Sequence, residues 1–201
     1  MITITSVMPL QIVKCERRLV EDLQTKRQHP VTRVTGVFQR ANVVNANGRL
    51  YPHDVMQEAV KDLQEAVTGR KVLGELDHSA DAKIHLDRVS HLISKLWMEG
   101  DIVFGECEIL EEMPCGKMLK GLIDSGVCIS VSSRGVGDME TMKENGKDVS
   151  KVTRGYKAIT WDAVLEPSVM GTELSVMESK IIDVRKQHEM ELLEELKILI
   201  K

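Results

Sequence analysis

The sequence is poor in aromatic residues, with only two each of Trp, Tyr and Phe among its 201 residues. Such a chain has to build its core from Val, Ile, Leu and Met. It also lacks the interleaved aromatic and basic side chains on which nucleic-acid bases stack. A net charge of −4 gives no basic excess for a phosphate backbone. These absences argue against a nucleic-acid partner.

Cysteine pairs and long apolar runs are missing as well. None of the four cysteines forms a C-x-x-C pair or lies near histidines at zinc-finger spacing, so we expect reduced thiols in a cytosol-like compartment. No apolar run approaches the roughly 20 residues of a membrane span, and the N-terminus lacks the basic-then-apolar order of a signal peptide. The sequence therefore predicts a soluble protein with no membrane partner, made inside a cell.

The chain does contain many short β-type segments and few helical ones. The patterns predict strands at 2–13, 31–44, 71–76, 89–98, 102–110, 127–132 and 151–165, and helices at 53–67, 114–126 and from 184 to the end. Residues 15–28 are predicted to be helical or mobile, and residues 138–150 to form a loop or hairpin tip. This mixture predicts a single-domain α+β fold with a mainly antiparallel sheet or barrel.

Three stretches carry residues with chemistry: GELDHS (74–79), ISVSSRGVG (129–137) and AITWDAVLEPS (158–168). A serine hydrolase needs a hydroxyl, a base that takes its proton, and a group that orients the base. On spacing alone, each of these residues also fits an ordinary role at a strand end, turn or cap. A hydrolase of small esters is disfavoured, because the chain has no G-x-S-x-G elbow.

The same stretches belong to four blocks: VVNANGRLYP (43–52), LGELDH (73–78), VSSRGVG (131–137) and WDAVLEPS (161–168). In this order and with similar gaps they resemble the prohead maturation proteases of tailed phages, especially the T-even type. The resemblance covers roughly residues 35 to 170. The wider group includes the herpesvirus assemblins, so the resemblance implies a herpesvirus-protease-like β-barrel flanked by helices.

The resemblance implies a role for each matching residue. His78 matches the catalytic histidine, and Ser132 matches the nucleophile. Asp162 is the candidate for the third member, which would orient His78. The backbone N–H groups after Ser132 would form an oxyanion hole.

Ser133, Arg134 and Gly135 would support that loop. Gly135 and Gly137 would permit unusual backbone turns there. Arg134 would either add charge at the oxyanion hole or hold the loop by pairing with an acid.

Several alternatives remain open at this point. Glu75 and Asp77 are rival orienting groups, although neighbours on an extended chain point to opposite sides, which disfavours Asp77. His85 and His91 are rival bases. The spacing of the three histidines matches no known metal motif, so no metal is expected. The family often has Pro directly after the histidine, where this chain has Ser79.

The resemblance also implies an endopeptidase that degrades scaffold or core proteins and trims the capsid precursor. It would act inside the immature prohead in the host cytoplasm, without a cofactor, and self-association on activation is compatible with this. Cleavage is expected after Glu in Leu/Ile-x-Glu contexts, with self-cleavage at Glu21, Glu194 and Glu195.

The domain organisation that follows is an N-terminal segment over 1–30 that is trimmed, a protease domain over 31–183 and a cleavable helical tail over 184–201. The alternative function is a non-enzymatic structural or scaffold component of the prohead with the same fold.

Overall fold

The computed structural model describes residues 2–9, 11–21, 28–79, 81–144 and 146–165. The chain divides into two units, Met1–Gly171 and Thr172–Lys201, and every described residue belongs to the first. The helix predicted from residue 184 onward lies outside the described residues. No helix among the described residues is long and apolar enough to cross a membrane.

The described residues form strands and two helices in a mixed order. The elements are β1 (Ile2–Pro9), β2 (Gln11–Glu21), β3 (Gln28–Arg40), β4 (Arg49–Leu50), α1 (His53–Thr68), β5 (Leu73–Glu75), β6 (Val89–Glu99), β7 (Ile102–Ile109), α2 (Pro114–Asp124), β8 (Ser130–Gly137), β9 (Met139–Glu144), β10 (Lys147–Val152) and β11 (Lys157–Val164). They pair as three sheets, β1-β8-β11, β4-β10-β9 and β2-β3-β7-β6-β5. Among these strands the β4–β10 pair is parallel and the others are antiparallel. The predicted α+β class with mainly antiparallel sheets is confirmed, whereas these pairings do not form a closed barrel.

Local turn signals account for several of the boundaries between strands and helices. Gly48 has a φ of +67° and lets the chain turn before α1, while the Asn45 side chain accepts hydrogen bonds from the N–H groups of Asn47 and Arg49. Gly100, with a φ of +56°, closes the β6–β7 hairpin. The helices α1 and α2 and this hairpin lie where the sequence pattern predicts them.

Helix α1 packs against β6 and β11 and closes one side of the core. It buries Val55, Met56 and Ala59, the apolar face that the helical spacing predicts. The core also contains Phe38 and Trp161, whose ring centroids lie 5.9 Å apart. Since Trp161 precedes Asp162 on β11, this packing anchors the strand that carries the candidate third triad member.

One prediction of local structure is wrong, and another is correct in one of its two alternatives. The segment predicted as helical or mobile forms the second half of β2 instead, where Cys15–Glu21 pairs with β3 down to Gln28. Its many charges suit this position, because β2 is the edge strand of the five-stranded sheet. Of the loop and the hairpin predicted for 138–150, the structure has the hairpin, formed by β9 and β10 with Gly146 at the turn, and its strands are longer than a tip.

The nucleophile strand also runs further than expected. It was predicted to end at residue 132, with a turn around Gly135. Instead β8 continues to Gly137, and neither Gly135 nor Gly137 has a positive φ. A Cβ at Gly135 would lie 2.5 Å from the Tyr156 ring, so the glycine is required by close packing between neighbouring elements.

We expect the two glycines of α2 to respond oppositely to substitution by alanine. A Cβ at Gly116 would lie 1.9 Å from the backbone oxygen of Leu110, whereas a Cβ at Gly121 meets nothing within 4 Å. Gly116→Ala should therefore lower the free energy of unfolding by about 1–3 kcal/mol or more. Gly121→Ala should raise it by about 0.5–1 kcal/mol, because alanine favours the helix. Urea unfolding of both variants measures the difference, and equal effects would contradict the packing of α2.

Candidate active site

The two serines of the candidate nucleophile pair lie on opposite faces of β8. Side chains alternate along a strand, so Ser132 and Ser133 cannot share a face. Ser132 lies directly opposite Asp162 in the β8–β11 register, and directly opposite residues project to the same side of a sheet. Ser133 is fully buried on the opposite face, beside Tyr156. The register therefore brings Ser132, not Ser133, to the carboxylate.

His78 reaches this face through a turn at the end of β5. Leu76 bridges to Ala163, and the N–H of Asp77 donates to the Ala163 carbonyl at 2.8 Å, so the chain runs beside β11 up to the turn. Asp77 has a φ of +68°, a left-handed conformation that Asp tolerates better than most residues. Its carboxylate accepts the N–H of His78 at 2.8 Å. This turn places the imidazole next to Ser132 and Asp162.

The structure brings the three candidate catalytic side chains together, with His78 between Ser132 and Asp162. Nε2 of His78 is hydrogen-bonded to Oγ of Ser132, and Nδ1 of His78 lies 2.9 Å from Oδ2 of Asp162. The second pair is close but not aligned, since neither Nδ1 nor Oδ2 makes a hydrogen bond of acceptable angle. Catalytic hydrogen bonds often have this loose geometry before substrate binds. The arrangement can take a proton from the serine and hold the imidazolium beside a carboxylate.

Asp162 is fully buried and has partners on both oxygens. Its Oδ1 accepts the N–H of Glu75 at 2.9 Å and Nη2 of Arg134 at 3.0 Å. Its Oδ2 lies 3.0 Å from Nε of Arg134, on the same side as His78. The carboxylate is thereby held in place by one backbone group and one guanidinium.

Arg134 is also fully buried, and its side chain ties the strands to the loop after His78. Nη1 donates to the carbonyls of Lys83 at 2.7 Å and Asp81 at 3.2 Å. Nη2 lies 3.3 Å from Oε1 of Glu75. These contacts have the form expected of an arginine that supports a loop by pairing with acids.

Glu75 is a buried carboxylate rather than an orienting group for the catalytic imidazole. It accepts hydrogen bonds from the Ser79 hydroxyl and from the N–H of His85, the latter at 2.6 Å. Burial alone would raise the pKa of Glu75, but these two hydrogen bonds and the Arg134 guanidinium together lower it below its ordinary value. Glu75 is therefore ionised at neutral pH, as a counter-ion of Arg134.

The remaining rivals occupy other positions. The Asp77 side chain is 83% exposed and faces Arg88 at 3.7 Å. His85 contacts Ser79 and Glu75. Among the histidines whose side chains the structure describes, His78 is the one that contacts Ser132 Oγ.

His91 is buried beside the site and has a structural role. Nε2 donates to the Trp161 carbonyl at 2.9 Å, and Nδ1 lies 2.9 Å from the Ser90 hydroxyl. Burial lowers its pKa below the ordinary value of 6.5. Space is tight here, because a Cβ at Gly74 would lie 2.1 Å from Nε2 of His91. A neutral His91 thus fixes the backbone next to Asp162.

We expect His91 to make the fold sensitive to mild acid. Below pH 6.5 the unfolded chain takes up a proton that the folded chain binds less readily, so the free energy of unfolding falls as pH falls. The loss reaches at most about 1.4 kcal/mol per pH unit for this one group. Urea unfolding at several pH values between 7.5 and 5.5 measures the slope. His91→Gln should flatten it, and an unchanged slope in that variant would contradict this origin.

The predicted oxyanion donors lie inside a sheet. The N–H groups that follow Ser132 belong to β8, which pairs with β1 on one side and β11 on the other. Strand neighbours therefore compete with an oxyanion for these donors. Access is limited too, since Ser132 is 0% exposed and the His78 side chain is 22% exposed. Of these two side chains, only that of His78 reaches the surface.

The candidate self-cleavage sites are at the ends of the chain. Glu21 is the last residue of β2 and pairs with Gln28. Glu194 and Glu195 lie outside the described residues.

Sequence reasoning missed one feature of the site, the buried pair of Arg134 and Glu75 behind the carboxylate. Glu75 was weighed only as a rival to Asp162, because nothing local to GELDH shows that its carboxylate faces away from His78. A signal was present nonetheless. Glu75 follows an apolar run that was predicted as a strand, and a buried charge at such a place needs a partner.

Comparisons with known proteins show which family the chain matches. The model of a family described as prohead core protein serine protease matches residues 4–181, a range that contains His78, Ser132 and Asp162. The prohead core protein protease of enterobacteria phage T4 is 35% identical over 138 residues, which are 67% of this chain and 64% of that protein. The match thus spans slightly less than two thirds of the relative's length.

The fold is also similar to that of a solved structure. The bacteriophage T4 capsid assembly protease is similar with a TM-score of 0.70 at 28% identity, covering 82% of this chain and 98% of that chain.

Proposed function

This chain belongs to the family of prohead core protein serine proteases, and on that premise we propose that it is a serine endopeptidase of phage head maturation. Ser132 is the nucleophile, His78 the general base and acid, and Asp162 the group that orients His78. The observation that carries the proposal is the continuous line from Ser132 Oγ through the imidazole to the buried Asp162 carboxylate.

The line of contacts supports a two-step reaction. Nε2 of His78 takes the proton of Ser132 as Oγ attacks the peptide carbonyl carbon, and the imidazolium then gives that proton to the leaving amine. The acyl-enzyme ester is hydrolysed by a water whose proton passes to His78 and then back to Ser132. Asp162 stabilises the imidazolium in both steps. No cofactor or metal takes part in this scheme.

The oxyanion would bind to backbone N–H groups after Ser132, with Ser133, Arg134 and Gly135 as its support. Since these residues lie in a paired strand, the donors become free only when part of the pairing yields. Together with the burial of Ser132, this suits an enzyme that is made as a silent precursor and becomes active on assembly.

We assign the substrates by family membership. They are scaffold or core proteins and the capsid precursor, cut after Glu in Leu/Ile-x-Glu contexts inside the immature prohead in the host cytoplasm. Self-association on activation and a relation to the barrel of the herpesvirus assemblins are parts of the same proposal. Neither a nucleic acid nor a membrane is needed as a partner.

Self-processing at Glu21 is favoured by its place in the fold. It lies at the end of an edge strand, and β3 pairs with β7 only from Arg33 onward. The β2–β3 ribbon near Glu21 thus has two strands, and such a ribbon is marginally stable and opens easily. We retain 1–30 as the trimmed segment, 31–183 as the protease domain and 184–201 as the tail cut at Glu194 or Glu195.

Cleavage after Glu21 would have a structural consequence. The fragment it releases carries β1, which pairs with the nucleophile strand β8 along its whole length, and β2. Trimming would therefore remove a strand from the sheet that contains Ser132.

We expect an active preparation to cut a Leu-x-Glu peptide and to remove its own first 21 residues. Intact mass spectrometry of the full chain measures both, with the Ser132→Ala chain added as an inert substrate. Glu21→Gln should abolish the N-terminal cut. Glu65 is the internal control, because Leu63-Gln64-Glu65 has the same motif but lies within α1 and should stay uncut.

Two outcomes would count against this account. An unchanged mass in a preparation that cuts the peptide would remove the self-processing proposal. A folded chain that cuts neither substrate, even at high concentration, would favour a structural component of the prohead instead.

A further inference from the structure

The series of contacts from Ser132 through His78 to Asp162 continues beyond Asp162. Behind this carboxylate lies Arg134, and behind Arg134 lies Glu75, and all three are 0% exposed. Nε of Arg134 is 3.0 Å from Oδ2 of Asp162, and Nη2 donates to Oδ1 of Asp162 at 3.0 Å. The Arg134 guanidinium also lies 3.3 Å from Oε1 of Glu75. Five groups from three segments of the chain are thus connected in series.

We propose that Arg134 and Glu75 are positioning residues that set both the orientation and the effective charge of Asp162 toward His78. This inference rests on the proposed function, because it assigns a role within that catalytic centre. Arg134 acts through Asp162, and Glu75 acts through Arg134.

Orientation follows from the number of contacts. A carboxylate held by one donor can rotate, whereas Asp162 is held by the N–H of Glu75 and by the forked guanidinium. The fork is itself fixed, since Nη1 donates to the carbonyls of Lys83 and Asp81 in the loop that follows His78. Arginine suits this task because its planar fork presents several donors at fixed angles, which lysine cannot do. The same side chain therefore ties Asp162 to the loop beside the catalytic histidine.

The role of Glu75 is to balance the charge of Arg134. Oδ2 of Asp162 lies 2.9 Å from Nδ1 of His78 and 3.0 Å from Nε of Arg134, so the imidazole and a permanent cation share one oxygen. This cation therefore competes with the imidazolium that forms during catalysis for the same carboxylate oxygen. Glu75 offsets part of that effect. The other charged or titratable groups around this site are Asp77, Asp81, His85 and Arg88 in the segment that follows β5, and the buried His91 on β6.

Two variants separate this role from a merely structural one. Glu75→Gln keeps the shape and leaves Arg134 uncompensated, so the acidic limb of the kcat/KM–pH profile should move to lower pH. The double variant Glu75→Gln/Arg134→Gln removes the buried pair without leaving either charge alone. Asp162 then faces His78 without a competing cation, and the acidic limb should move to higher pH, by about one unit.

Catalytic rate gives the second measurement. Both variants should lower kcat by about 10- to 100-fold, with KM changed less, because a small misplacement of a catalytic group has this cost. Arg134→Lys keeps the charge but not the fork, so it should lower kcat while moving the acidic limb little.

The chain offers a matched control at a second buried glutamate. Glu108 lies on β7, is 2% exposed, and pairs with Arg33 at 2.7 Å and with Arg70 at 2.6 Å. Its partners lower its pKa against the effect of burial, as those of Glu75 do. Glu108→Gln should therefore destabilise the fold in a similar way while leaving the pH profile unchanged.

The experiment is peptide cleavage by the full-length chain across pH 5 to 9, together with thermal unfolding of each variant. Shifts of the acidic limb in opposite directions for the single and double variants, with none for Glu108→Gln, are the expected result. Shifts in one direction, or none, in variants that remain folded would overturn the positioning role while leaving the protease proposal intact. A wild-type chain that cuts nothing would overturn both, and loss of peptide cleavage in Ser132→Ala but unchanged kinetics in Glu75→Gln would overturn only this inference.

Discussion

Replacing Ser132 or His78 with alanine should lower kcat for a Leu-x-Glu peptide by about 10⁴- to 10⁶-fold. Without Ser132 Oγ no acyl-enzyme forms, and without the imidazole nothing takes the proton of the hydroxyl it contacts. The double variant should lose little more than either single one, because the two groups act as a unit. Steady-state kinetics with the wild type and the three variants measures these effects.

The neighbouring serine is the matched control. Ser133 has the same side chain in the same strand, but it lies on the other face of β8, beside Tyr156. Ser133→Ala should retain kcat within about tenfold, because the Ser133 side chain lies on the face of β8 away from Asp162. If Ser133→Ala abolished cleavage and Ser132→Ala did not, the assignment of the nucleophile from the sheet register would be wrong.

The second large effect is expected at Asp162. Asp162→Asn keeps the shape but removes the charge that stabilises the imidazolium, and the amide favours the wrong tautomer of His78. Such a change lowers kcat by about 10⁴-fold in a serine triad. It also deprives the buried Arg134 of its closest anion, so a loss of stability of about 3–5 kcal/mol is expected. Kinetics and urea unfolding of the same preparation measure the two effects together.

A second histidine–aspartate pair serves as the control for this substitution. His53 Nδ1 lies 2.7 Å from Oδ1 of Asp101, with both side chains substantially exposed. Asp101→Asn should leave kcat unchanged and alter stability by less than about 1 kcal/mol. A folded Asp162→Asn protein with wild-type kcat would exclude Asp162 as the third member of the triad.

The parts of the fold that sequence reasoning predicted correctly depend on neighbours in the chain. Helical spacing predicts α1, and Pro114 with Gly126 brackets α2. The β6–β7 hairpin is marked by the turn at Gly100. Each of these signals lies within the element that it specifies, so one sequence is enough to detect it.

The incorrect predictions concern elements that depend on distant partners. The charged segment after Cys15 has a composition typical of a helix or a mobile stretch, yet pairing with β3 makes it a strand. Gly135 was assigned to a turn, because the sequence does not show that Tyr156 packs against it from another segment. Tertiary contacts determine both outcomes, and no local pattern encodes them.

The candidate site divides in the same way. His78, Ser132 and Asp162 were identified from motifs, and the structure brings them together. The pairing of Arg134 with Glu75 was not predicted, because it requires knowing that β5, β8 and β11 converge. The motifs thus pointed to the candidate catalytic residues, whereas the residues that contact them from behind became visible only in the fold.

The most direct test of the central claim is covalent labelling by a phosphonofluoridate in a preparation that cleaves the Leu-x-Glu peptide. Attack by the activated hydroxyl forms an O–P bond, releases fluoride and passes the serine proton to His78. Peptide mapping by mass spectrometry should place one adduct on Ser132, and the His78→Ala protein should remain unlabelled. An adduct on Ser133, or full peptide cleavage by a protein completely labelled at Ser132, would contradict the account.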